Sequence, residues 1–117
     1  MALKNYILTF AESASGDMLE LKQYIITHFY VEYGDNFDSK MRSAAKNIKD
    51  TASSIRPTSF FYRGYVIYML IHKTYLFFYV VDEDKNVITV LRVLNEGRDW
   101  MKIIKDWLRK NGTDKQQ

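Results

Sequence analysis

Three runs of aromatic and β-branched residues, Tyr65 to Ile71, Tyr75 to Val81 and Val87 to Leu94, follow one another with only short polar links between them. The first link, His72-Lys73-Thr74, has hairpin length, and the second, Asp82 to Asn86, is a charged turn. Links this short impose an antiparallel meander, because parallel neighbours need a crossover of about a dozen residues or more. Such a sheet must bury its apolar surface against something, and the rest of the chain reads as the helices that cover it.

Tyr6 to Phe10 forms a short first strand that stops at a Ser, Ala and Gly cluster. Met18, Leu21, Ile25 and Phe29, with Tyr24 and His28 beside them, recur at helical spacing and predict a helix from about Ser13 to Glu32. Asp17 and Glu20 stand near its N-terminus, where the helix dipole favours negative charge. Gly34 interrupts the pattern, and Asp35 serves as N-cap of a second helix running to about Ser53 on Phe37, Met41, Ala44, Ala45, Ile48 and Ala52. Lys40, Arg42, Lys46 and Lys49 lie elsewhere on that cylinder, so the helix is apolar inside and basic outside. The short link makes the two helices an antiparallel hairpin, and Pro57 closes this half. After the meander, Gly97 breaks the strand pattern, and Trp100, Ile103, Ile104, Trp107 and Leu108 mark a terminal helix from about Arg98 to Lys110. Asn111 to Gln117 reads as a frayed polar tail. The order is strand, helix, helix, three or four strands, helix: an α+β layer with helices over one face of an antiparallel sheet, in one domain spanning residues 1–117.

Composition excludes several function classes. The chain has 117 residues and no cysteine, which rules out disulfides, thiolate zinc sites and thiol catalysis and is compatible with a reducing cytoplasm. No apolar stretch approaches the roughly 18 residues of a membrane span, and the apolar run after Lys4 is too short for a signal peptide. The net charge of +3 hides an uneven distribution. Residues 1–35 carry two bases and five acids, residues 36–81 seven bases and two acids, and residues 82–117 eight and seven. The aromatic residues crowd into 60–79, beside the basic segment. Cations next to rings can bind single-stranded nucleic acid, although a sheet with an aromatic inner face and a charged rim has the same composition. There is no carboxylate pair, metal-ligand cluster, phosphate-cradling glycine loop or Ser/His/Asp arrangement, so no metal or cofactor is expected. Arg92 falls in phase with Ile88 and Val90 and out of phase with Leu91 and Val93, a charge in a strand with apolar residues on both faces. Glu96 and Asp99 are its nearest acids in sequence.

The C-terminal third resembles the end of the RelE/ParE superfamily of bacterial toxins. The family pattern is a strand with tyrosines four apart, a turn, and a strand ending in Arg-Val/Ile-Leu, usually His, then Arg-Asp and often Trp. This sequence supplies Tyr75 and Tyr79, Arg92-Val93-Leu94 and Arg98-Asp99-Trp100, with Asn95 in the usual His position. With the helical hairpin, the resemblance extends over residues 5 to about 108. It implies the toxin of a type II toxin–antitoxin module, of the kind that includes plasmid-stabilisation modules. Such a toxin arrests growth and is neutralised by a cognate antitoxin, in a complex that can be oligomeric.

The family contains two mechanisms. RelE-like members cleave messenger RNA on the ribosome, whereas ParE-like members poison DNA gyrase through a protein interface. Metal-free RNA cleavage needs a base, an acid and cations gathered on one phosphate. The candidates for that set are His72, Arg63, Lys73, Arg92 and Arg98. Against it, Asn95 cannot move a proton, the run Met69-Leu70-Ile71 lacks an arginine before the hairpin, and His72 reads as a solvated turn residue. The sequence therefore leans to the ParE branch, with Arg92, Asn95, Arg98 and Trp100 as target contacts and Phe60, Tyr62 and Tyr65 as antitoxin contacts. A non-toxic RNA-binding module built on the basic second helix and the aromatic hairpin is the third reading.

Overall fold

The computed structural model describes residues 5–51 and 56–112. Its elements are β1 (Ile7–Phe10), α1 (Glu12–His28), α2 (Glu32–Thr51), β2 (Arg56–Tyr62), β3 (Tyr65–His72), β4 (Tyr75–Asp82), β5 (Val87–Asn95) and α3 (Trp100–Asn111). The five strands form one sheet in the order β1-β5-β4-β3-β2. The expected meander is present as β2 to β5, all antiparallel, and β1 adds to β5 in parallel. β2 lies at the sheet edge and contains Pro57, a place where the missing N–H is tolerated. The β2–β3 connection is the two-residue turn Arg63-Gly64, with φ of 51° and 91°, where glycine avoids the steric cost that a Cβ would incur.

The helices do not share one face, contrary to the expectation. α1 and α2 pack Ala14, Phe37, Met41, Ala44 and Ile48 onto Tyr75, Phe77, Tyr79, Val81, Ile88, Val90 and Val93. α3 covers the opposite face, where Ile104 meets Ile67, Met69, Leu76, Phe78, Val80, Leu91 and Leu94. β4 is consequently buried on both faces from Tyr75 to Val81. This accounts for its unbroken apolar sequence, since a strand with one wet face would alternate.

The helix break also moves. Periodicity puts it at Gly34, but α1 ends at His28 and α2 begins at Glu32, which leaves Gly34 buried inside the first turns of α2. A Cβ on Gly34 would stand 3.1 Å from Ile26 Cδ1, so the glycine here serves close approach of the two helices rather than a break. Phe29, read as part of the core stripe, and His28 beside it are both exposed. Ala52, Ser53, the C-terminal end expected for the second helix, and residues 113–117 of the expected tail lie outside the described residues.

Candidate functional site

β5 carries a bulge that changes the reading of Arg92. Phe78 opposes Arg92 and Tyr79 opposes Val90, so Leu91 is an extra residue. Val93 then joins Ile88 and Val90 beneath α1 and α2, while Arg92 turns to the α3 side, its guanidinium 5.9 Å from the centre of the Trp107 ring. The phase inferred for Arg92 from simple alternation is thus reversed. Its acid is neither Glu96 nor Asp99. Arg92 Nε and Nη2 donate to the two oxygens of Asp17 at 2.7 and 2.9 Å, a bidentate pair with both side chains largely buried. Asp17 also accepts from the Val93 N–H at 2.9 Å. β1 ends opposite Val90, and beyond that point Ser13 and Asp17 of α1 take over the free edge of β5, with Ser13 Oγ donating to Leu91 O at 2.7 Å. The sequence signal for this pair was Asp17 itself. It lies three residues after the buried Ala14 and four before Leu21, an acid on the core stripe of α1.

The remaining cations fall into two groups. At the end of the sheet where Asn95 opposes Tyr75, the structure gathers His72, Lys73, Asn95 and Arg98. The loop is tied down by Glu96 N donating to Thr74 O at 2.8 Å and Arg98 N to Asn95 O at 3.1 Å. Asn95 Oδ1 accepts from Gly97 N–H at 3.2 Å, which leaves its amide nitrogen outward. Arg98 is exposed, has no ion-pair partner among the described residues, and borders a hollow of about 280 Å³ with Asp17, Glu20, Leu21, Tyr24 and Asn95. Trp100 is half-buried on Phe78 and Phe60, with ring centroids 5.3 and 6.3 Å away, so it anchors α3.

His72 is not a turn residue. It ends β3 opposite Tyr75, and its Nδ1 lies 3.1 Å from Asn47 Nδ2 on α2, while Nε2 is enclosed without a partner. Burial, then the nearby Lys73 and Lys40 ammoniums, hold its imidazole below the ordinary histidine value.

Arg63 stands at the other end of β3, in the turn to β2, and is not near Lys73. Its guanidinium lies 5.0 Å from the centre of the Tyr62 ring, Tyr62 stacks on Trp107 at 5.4 Å, and Trp107 receives Arg92 from its other neighbour. The expectation that the meander gathers Arg63, Lys73, Arg92 and Arg98 is corrected accordingly. Among the proposed antitoxin contacts, Phe60 and Tyr62 are half-buried beneath α3, whereas Tyr65 is exposed and donates to Asp82 at 3.3 Å. No group of three or more His, Asp or Glu side chains suited to a metal is gathered among the described residues. No helix among them is long and apolar enough to cross a membrane.

The family profile described as ParE toxin of type II toxin–antitoxin system, parDE, matches residues 8–100. The chain belongs to the ParE toxin family. The match runs from β1 to the start of α3 and includes the Asp17–Arg92 pair and the Asn95–Arg98 loop. Among solved structures the fold is similar to that of the chromosomal ParDE toxin–antitoxin system from Pseudomonas aeruginosa, with TM-score 0.65 and 14% identity over 78% of this chain and 96% of the other. It is also similar to the toxin–antitoxin complex RelBE2 from Mycobacterium tuberculosis, with TM-score 0.58 and 14% identity over 83% and 98% of the two chains. No curated protein sequence matches the chain. This member of the ParE family is therefore a ParE/RelE-type toxin of a type II toxin–antitoxin system.

Proposed function

We propose that this toxin acts as a ParE-type poison of DNA gyrase, by binding and without chemistry of its own, and that a cognate antitoxin neutralises it. The observation that carries this reading is the dispersal of the cations that RNA cleavage would need. Arg92 is held by Asp17, Arg63 stands at the far end of β3, and the sheet end with His72 and Lys73 has Asn95 where a proton-transfer group would be required. What that sheet end offers instead is an exposed, ordered loop. Arg98 and the outward amide of Asn95 suit contacts with a protein or DNA-bound surface, and Trp100 fixes the loop to the core.

The purified toxin, added to gyrase and relaxed plasmid, is expected to block supercoiling and to trap cleaved DNA, and Arg98→Glu to reduce both at least tenfold. Unaffected supercoiling, together with transcripts cut on programmed ribosomes, would replace this reading by the nuclease one.

A further inference from the structure

The largest cleft lies away from the Asn95–Arg98 loop. Phe29, Tyr33, Phe37 and Tyr75 wall a space of about 580 Å³ between the tip of the helical hairpin and the β3–β4 end of the sheet, with Lys40 at its rim. Its floor is set, since the buried rings of Phe37 and Tyr75 meet edge-on with centroids 5.5 Å apart. Its mouth is open. Phe29 is 58% exposed, and Tyr24, Tyr30 and Val31 beside it extend the apolar surface at 57%, 67% and 72%. Exposed apolar residues clustered in this way mark a surface that another molecule covers.

Charge narrows the choice of occupant. Lys40 on α2 and Lys73 in the β3–β4 turn both act on His72, the cross-strand neighbour of the cleft residue Tyr75. Neither lysine has an ion-pair partner among the described residues, so two uncompensated positive charges border one side of the apolar surface. Glu32 stands two turns earlier on the Lys40 stripe of α2, about 12 Å away. A base with its phosphate would fill the cleft but leave Tyr24, Tyr30 and Val31 uncovered, and no cation track follows that part of the surface. An amphipathic helix covers both, with its apolar stripe on the hairpin tip and its acids over the lysines.

We propose that this cleft receives an acidic amphipathic segment of the toxin's protein partner, with a bulky apolar side chain against Phe37 and Tyr75 and a carboxylate meeting Lys40 and Lys73. The inference rests on the toxin–antitoxin reading, in which that partner is the antitoxin.

A labelled synthetic 15-residue helical peptide, with Leu at i, i+4 and i+7 and Glu on both flanks, is titrated against the full chain by fluorescence anisotropy. Its twin carries Lys in place of every Glu. The Glu peptide is expected to bind at least tenfold more tightly than the twin, and the double variant Lys40→Glu, Lys73→Glu to reverse that order. Both lysines are exposed, so the variant keeps the fold, as a matching circular dichroism melt will register. Phe29→Ala is expected to weaken both peptides. Equal affinity for the two peptides, no binding of either, displacement of the Glu peptide by adenosine monophosphate, or a dimer in sedimentation that Phe29→Asp disperses would overturn the proposal. A growth-arrest assay separates its failure from that of the toxin reading. If the neighbouring-frame protein rescues cells and binds the lysine double variant as tightly as wild type, the cleft assignment fails alone. A chain that leaves growth unharmed yet prefers the Glu peptide overturns only the toxin reading.

Discussion

Arg92 shows how one residue can be legible as a problem and not as a solution. A charge in a strand that is apolar on both sides demands a partner, and that demand can be read from the sequence. The partner cannot, because Asp17 is 75 positions away and meets Arg92 only after β5 bulges at Leu91. Both side chains are more than four-fifths buried, so removing either leaves an uncompensated charge. Asp17→Ala is expected to lower the free energy of unfolding by about 3 kcal/mol, measured by urea denaturation. Asp17→Asn should lose less, because its carboxamide oxygen still accepts from the Val93 N–H. His72 gives a pH signature. Its folded-state value is lowered by burial and by Lys73 and Lys40, so below the unfolded value of about 6.5 the unfolded chain binds more protons than the folded one. Stability therefore falls as pH drops below about 6.5 and levels off once the folded-state histidine has also titrated. Urea midpoints of wild type and His72→Gln, compared from pH 7.5 to 5, should diverge in that window, the wild type losing more.

Elements were easier to read than their junctions. Period-two and period-3.6 patterns locate the strands and helices because they reflect which face is buried, and the structure keeps all of those elements. Gly34 was misplaced because glycine has two uses with the same sequence signature, breaking a helix and admitting a neighbour. The structure selects the second, with Ile26 Cδ1 and Cγ1 at 3.1 and 3.2 Å from a built Cβ. Gly34→Val should accordingly destabilise the hairpin by about 1–3 kcal/mol through overcrowding, read from thermal or urea unfolding. α3 was assigned to the wrong layer although the clue was present: Leu76 to Val81 lacks the alternation that a strand with one wet face would show. Its single fully buried side chain among the described residues is Ile104, at 1% exposure. Ile104→Ala is expected to cost about 3 kcal/mol.

At the scale of the whole molecule, a sheet covered on both faces leaves its ends and its edges for function. One end presents the Asn95–Arg98 loop, with Lys73 and the hairpin-tip cleft close by; the other presents Arg63 on its aromatic stack. The family was legible from the C-terminal third, because Arg92, Asn95, Arg98 and Trp100 belong to the same few turns of chain that join β5 to α3. The spatial grouping of cations was not, because it depends on which end of a strand each turn occupies, and Arg63 and Lys73 flank β3 at opposite ends. That separation underlies the central claim, that this ParE-family toxin acts on its target by binding. The most direct measurement is controlled expression of the chain in cells, with DNA ends and messenger RNA ends mapped in the same culture. The account predicts growth arrest with double-strand breaks at gyrase sites and intact transcripts; transcripts cut at codon boundaries with unbroken DNA would contradict it.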